Sequence, residues 1–349
     1  MSRWIIRNLR IEPTTSLLTT IMEYEDHHNG NLTNVTGLFD DMHRIAWFQP
    51  STDVPMLIVG GLAVVFNAFI IYIVQSRRTL QTSSNTILVS LCASDLLYGL
   101  VTVPMQVACA VFMVNDLCIV TDTLVKFISV STIIHILLIT VDRYIFIVYA
   151  LRYYAIVRKR RVVGTLLGVW SVNAVITLVR LHWALRVDVS DDEGDDVHRQ
   201  EFIYIVFRLA TFFCLLLTVV LVLDIHMLIV LGRQVRKIVR QNLPRECLLQ
   251  EKRLKYQQRR AILMCIFMFL INFAFWLPYF TYDLWQTHDG FGIIGEYAIL
   301  IARILTSVLN PIINTIGRQS LRDEVLKKLP CRCRTTPDLR TEDTPLNEF

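Results

Sequence analysis

Charge is scarce in this sequence. Only 19% of its 349 residues are Asp, Glu, Lys or Arg, against roughly 25% in an ordinary soluble chain. No Gly-rich phosphate loop occurs in its strand–turn–helix setting, and no Cys/His pair has zinc-ligand spacing, so the commonest nucleotide and metal chemistries are not expected. The roughly ten-residue alternation of a membrane β-barrel is missing, and no internal repeat stands out. The N-terminus lacks an unbroken apolar run: polar residues interrupt Ile5, Ile6, Leu17 and Leu18, so it does not read as a secretory signal. No cofactor is expected, and no catalytic residues are picked out.

Apolar length is abundant. Hydrophobic residues make up 54% of the chain and the mean hydropathy is +0.47. They fall in seven blocks, 54–76, 86–108, 119–147, 162–183, 202–231, 261–284 and 293–316. Each meets the roughly 20 residues a helix needs to cross the hydrocarbon core. The fold class that follows is all-α: a seven-transmembrane helix bundle, with a short amphipathic eighth helix from 318. A soluble enzyme, a nucleic-acid-binding domain and a disordered scaffold are excluded. The chain divides into an N-terminal tail (1–53), the bundle (54–317) and an amphipathic helix with tail (318–349).

Lys and Arg are retained on the cytoplasmic side of membrane proteins. With the N-terminus outside, the inner segments carry 24 of the 35 basic residues, and the three outer loops carry only Arg186 and Arg199. The expected arrangement is multi-pass, N-terminus extracellular and C-terminus cytoplasmic. The net charge of +5 then faces anionic membrane lipids and calls for no nucleic acid. Two sequons in the tail make Asn31 and Asn34 glycosylation candidates. Cys331 and Cys333, just past the amphipathic stretch, are palmitoylation candidates that would anchor it to lipid.

Polar residues inside membrane helices are costly and mark function. Asn67 lies in the first block, Asp95 in the second and Trp170 in the fourth. Asp142-Arg143-Tyr144 closes the third, followed by Leu151. Trp276 and Pro278 mark a kink in the sixth, and Asn310-Pro311 interrupts the seventh. In this order the set resembles the rhodopsin-like (class A) G-protein-coupled receptors over about residues 54–333. The resemblance implies a plasma-membrane receptor that passes an extracellular ligand signal to a heterotrimeric G protein, with arrestin a further partner. It implies a switch in which Asp142 holds Arg143 at rest and releases it to meet a G-protein helix end. It also implies a sodium or water cavity around Asp95, with Asn67, Thr132, Ser307 and Asn310. Sodium and a plain water network both stay open, because Thr132 and Thr306 replace the usual residues.

Departures from the family are as informative. The seventh-helix Tyr is replaced by Asn314, the fifth-helix Pro by Leu216 and Tyr by Asp224, and the sixth-helix Phe by Asn272. In the family the two missing Tyr meet through water in the active receptor; Asp224 and Asn314 could make a direct or water-bridged hydrogen bond instead. The second outer loop, 184–201, has no Cys for Cys118, leaving Cys109 as the nearby partner; free thiols are the favoured expectation. Val125 stands where amine receptors carry Asp, and Ile304 where opsins carry the retinal Lys, so both ligand classes lose their anchors. Lys126, Arg180, Arg208 and Arg303 instead put positive charge in the outer half. They would suit an anionic small molecule or lipid, or pair internally with Asp283 or Glu296. The acidic residues of 188–201 read as a recruiter of basic peptides, as a solvated face, or as a neutraliser of the basic pocket when no ligand is bound. Two competing readings remain: a receptor-like membrane protein that binds without G-protein signalling and, more remotely, a transporter.

Overall fold

The computed structural model describes residues 48–112, 114–185, 191–240, 245–285 and 292–328. Asn31, Asn34, Cys331 and Cys333 therefore lie outside the described residues, as do the side chains of Asp283 and Glu296. Among the described residues, seven helices are long and apolar enough to cross a membrane. They are α1 (Pro50–Ser76), α2 (Ser83–Phe112), α3 (Asn115–Val148), α4 (Lys159–Ala184), α5 (Asp191–Arg208, continuing through Leu209–Leu215 into Leu216–Arg240), α6 (Arg245–Trp285) and α7 (Gly292–Gly317). A short α8 follows (Gln319–Lys328).

A helix is the natural state of such segments, because in hydrocarbon each backbone N–H and C=O must be satisfied within its own span. Pro50 starts α1, where its missing N–H costs nothing. Thr82 caps α2 by accepting from the Asn85 amide. Large apolar side chains such as Ile58, Val65, Leu167, Val222 and Phe267 face outward and are exposed, as lipid-facing positions require. Polar residues are instead turned inward: Asn67, Asp95, His135, Asp224, Asn310 and Arg303 are all buried.

The long α3 runs through the middle of the bundle, touching α2, α4, α5 and α6. Its Val125, Ile128, Ile133 and Ile136 share one core with Leu217 and Val220 of α5, Phe269, Trp276 and Phe280 of α6, and Ile304 of α7. The junction of α1 and α2 is set by glycine. A Cβ on Gly99 would lie 2.6 Å from the Gly60 carbonyl oxygen, and one on Gly60 would lie 2.9 Å from Val103, so each glycine admits close approach of the facing helix. Gly99 sits in a π-helical turn, Tyr98–Thr102, which turns the rest of α2 relative to its first half.

Two expectations change here. Cys109 and Cys118 are not free thiols: they form a disulfide, with Cα atoms 5.1 Å apart. The turn between α2 and α3 is short enough to hold the two side chains together. The stretch 191–201, read as loop, is helical and forms the start of α5. Acidic residues there lie at a helix N-terminus, where the helix dipole favours negative charge. α5 ends at Arg240, and on the far side of the segment 241–244 α6 starts at Arg245.

α8 is amphipathic. Its Leu321 is buried, with Val325 beside it, against Ile70, Ile73, Leu80 and Leu88. Arg77 Nε lies 3.3 Å from Glu324, and the Lys328 ammonium sits 4.1 Å from the Tyr72 ring centroid.

Candidate functional site

A chain of polar contacts crosses the middle of the bundle. Asn67 Nδ2 donates to the backbone oxygens of Ala63 (2.8 Å) and Ser307 (2.9 Å), tying α1 to α7. Asp95 accepts from Ser307 Oγ at 2.9 Å and from Asn310 Nδ2 at 3.0 Å, tying α2 to α7. Asn310 Oδ1 accepts in turn from Asn272 Nδ2 at 3.3 Å, which adds α6. Asn272, a departure from the family pattern, thus extends the Asp95 cluster by one helix. Thr132 is buried but is not among the hydrogen-bond partners of Asp95. Beside this chain, Trp170 Nε1 donates to Ser90 Oγ (3.0 Å), which shares a 2.8 Å bond with His135 Nε2. His135 Nδ1 lies 2.7 Å from the Ser131 carbonyl, which can only accept. Nδ1 therefore carries the proton, and Nε2 accepts from Ser90.

At one end of the bundle Arg143 is held less by Asp142 than by a serine absent from the expected site. Its Nε is 3.8 Å from Asp142 Oδ2, while its Nη2 donates to Ser84 Oγ at 3.0 Å. Ser84 Oγ donates to Asp142 Oδ2 at 2.6 Å and also accepts from Arg318 Nη1 at 2.9 Å. The second Asp142 oxygen accepts from Tyr153 OH at 2.8 Å. Arg318 also donates to Asn85 Oδ1 at 2.6 Å. Burial, with the like charge of Arg143 nearby, lowers the Arg318 pKa to about 9. Burial and the Asp142 carboxylate raise that of Tyr153. Tyr144 packs against the His226 ring, and Leu151 stands fully exposed.

No direct Asp224–Asn314 hydrogen bond is formed in this state. Asn314 Nδ2 is spent on the Asn310 carbonyl (2.9 Å) and Met268 Sδ (3.2 Å). Asp224 is 1% exposed, and neither of its carboxylate oxygens has a hydrogen-bond partner.

Toward the other end the four cations divide. Lys126 and Arg180 belong to a charge-balanced cluster that joins α3, α4 and α5. Lys126 Nζ is 2.8 Å from both Asp122 and Glu201. Arg180 Nη2 is 2.6 Å from Asp122 and 2.9 Å from Glu201, and Nη1 donates to Thr123. Internal pairing thus holds these two through Asp122 and Glu201; the side chains of Asp283 and Glu296 lie outside the described residues. The pairing of Asp122 with Lys126 was legible as an i, i+4 pair on one helix. Arg208 lies over the rings of Tyr204, Tyr279 and Phe280. Arg303 is fully buried on α7. Its Nε donates to Tyr98 OH at 2.7 Å, and its guanidinium packs on Tyr279 (4.5 Å), Tyr98 (5.4 Å) and Trp276 (5.7 Å).

Residues 66–314 match the model of the 7 transmembrane receptor (rhodopsin) family. An adenosine receptor A2b of Gallus gallus is 26% identical over 82% of this chain and 91% of its own length. A histamine H2 receptor of Cavia porcellus is 24% identical over 82% of this chain and 81% of its own. A dopamine D2-like receptor of Drosophila melanogaster is 32% identical, but over 44% of this chain and 18% of its own length.

Proposed function

This chain belongs to the rhodopsin family of seven-transmembrane receptors, and from that premise we propose that it transmits an extracellular ligand signal to a heterotrimeric G protein across the plasma membrane. The bias of Lys and Arg supports an orientation with the Arg143 end in the cytoplasm and the N-terminus outside. The observation that carries the reading is the hold on Arg143: one serine hydroxyl of α2 joins it to Asp142 on α3 and to Arg318 at the junction of α7 and α8. A network pinned through one small hydroxyl has two arrangements. Moving α2 or α7 away from α3 breaks it and releases a guanidinium whose donors can cap the bare carbonyls of a partner helix C-terminus. Leu151, fully exposed beside it, supplies an apolar docking contact.

The Asp95 cluster, which takes in Asn67, Ser307, Asn310 and Asn272, connects this switch to the outer half, and sodium or water belongs there. Asn31 and Asn34 as glycosylation sites, Cys331 and Cys333 as palmitoylation sites, and arrestin as a later partner complete the reading. The ligand is anionic, since the outer half offers cations and Val125 gives an amine no counter-ion.

The test is ligand-free activation of each Gα family in cells by the wild type and by Arg143→Ala at matched surface expression. Basal activity that the substitution removes supports the switch. Activity equal in both variants refutes it, and silence in every family moves the weight to a receptor that binds without signalling.

A further inference from the structure

Of the cations in the bundle, Arg303 has the least to balance it. It is 0% exposed, and among the described residues no carboxylate lies within ion-pair distance. Its Nη1 and Nη2 find no hydrogen-bond partner, and the same is true of Trp276 Nε1 and Tyr279 OH, whose rings face it. Ring faces attract a cation, but they leave its N–H groups unmet, and a buried charge without a counter-ion is expensive. Lys126 and Arg180 in the same half escape this through Asp122 and Glu201.

The unmet atoms are matched to one kind of occupant. The two NH2 groups of the guanidinium are unmet, as are an indole N–H and a phenol hydroxyl on the rings beside it, and the Nη pair presents the fork that a planar carboxylate accepts in two parallel bonds. Around it stand aromatic walls, Tyr98, Trp276 and Tyr279, suited to an apolar body. Arg303 is the cation whose Nη atoms are unmet here, while Arg208 stands over the same Tyr279 ring; one guanidinium fork is matched to one carboxylate. A protonated amine is repelled.

We propose that the Arg303 cage binds the carboxylate of a small monocarboxylic acid with an apolar body, and that its entry parts Trp276 and Tyr279. In the present state the rings close on the guanidinium with every member buried, so a ligand cannot reach it without moving them. Both rings belong to α6 and flank Pro278, whose missing N–H leaves the helix a ready bend. Carboxylate binding is thereby linked to α6, and through Asn272 to Asn310 and Asp95. The signalling consequence rests on the receptor reading above; the binding does not.

The test uses the purified full chain in detergent, with benzoate, phenylacetate, indole-3-acetate and hexanoate as probes. Phenylacetamide, phenethylamine and inorganic phosphate serve as controls. Carboxylates are expected to raise the melting midpoint saturably and to change tryptophan fluorescence, while the controls do neither. Arg303→Gln is expected to weaken carboxylate binding roughly 100-fold by removing the group that the carboxylate pairs with, and Arg303→Lys to weaken it less. Arg303→Met is expected to melt higher than the unliganded wild type, which keeps the inference testable should the Gln variant fold poorly. Equal carboxylate binding by wild type and Arg303→Gln overturns the proposal. So does a silent carboxylate panel on folded protein, or an Arg303→Met variant that melts lower. Carboxylate binding without any G-protein activation would instead overturn the signalling reading and leave this site standing.

Discussion

Asp224→Leu separates the cost of a buried charge from its use. The carboxylate is 1% exposed and unmet at both oxygens, and a buried polar group left unsatisfied costs about 1–3 kcal/mol. Leucine has similar bulk and no polar atom, so the substitution should stabilise the present state by about 2 kcal/mol and raise the melting midpoint of the purified receptor. The effect on signalling depends on the other state. If opening gives Asp224 a partner, the substitution favours the closed bundle alone, and 2 kcal/mol corresponds to a roughly 30-fold fall in the open-to-closed ratio. The sequence names Asn314 as such a partner, and to serve as one its Nδ2 must give up Met268 Sδ. If opening leaves the carboxylate as bare as before, both states gain equally and the ratio is unchanged. Basal G-protein activation at matched surface expression reads this difference. An unchanged melting midpoint would refute the claim that the carboxylate is unmet. A higher midpoint with wild-type basal activity would refute a partner in the open state.

Glu201→Gln leaves Lys126 and Arg180 sharing Asp122 alone and should destabilise the receptor by about 3 kcal/mol; adding Lys126→Met restores charge balance and should recover surface expression, measured by flow cytometry. Gly99→Ala places a Cβ where the Gly60 carbonyl lies 2.6 Å away and should abolish surface expression, whereas Gly61→Ala, with nothing within 4 Å, should be silent. Cys118→Ser opens a loop of sequence separation 9, which in the chain-entropy account lowers stability by about 2.5 kcal/mol. The Cys109→Ser, Cys118→Ser double variant should melt no lower than either single one.

The seven spans and the amphipathic α8 were legible because lipid imposes a length and a composition on each span separately. Asn67, Asp95 and Asn310 were legible as costly residues in apolar surroundings, and the structure brings them together. What could not be read were partners chosen by tertiary geometry. Ser84 meets Arg318 across 234 positions, and an isolated serine near a helix start looks like a cap. That the acidic run could neutralise the basic pocket was readable, but that Glu201 is a member that reaches Lys126 and Arg180 followed only from the run beginning a helix. The Cys109–Cys118 bond turns on the shape of a short turn, which spacing does not set. Asn272 was visible only as a departure, and its meaning came from where α6 meets α7.

Among the described residues Arg303 and Asp224, buried groups of opposite charge, lack hydrogen-bonded counter-charges in this state. Arg303 on α7 faces Trp276 of α6, while Asp224 sits on α5, which packs against α6. Neither charge is stabilised by the closed bundle, so each favours a second arrangement that supplies what it lacks: an anion at one and a donor at the other. Because α6 packs against both α5 and α7, a displacement of it that admits an anion beside Trp276 also changes its packing on the helix that carries Asp224. The coupling is reciprocal. Asp224→Leu, by favouring the closed bundle, should therefore weaken carboxylate binding at Arg303 by the same factor as it lowers the open-to-closed ratio, with no change at the binding site itself. Titrating phenylacetate against the wild type and Asp224→Leu measures that factor. Equal affinities alongside suppressed signalling would mean that the two charges answer to different movements.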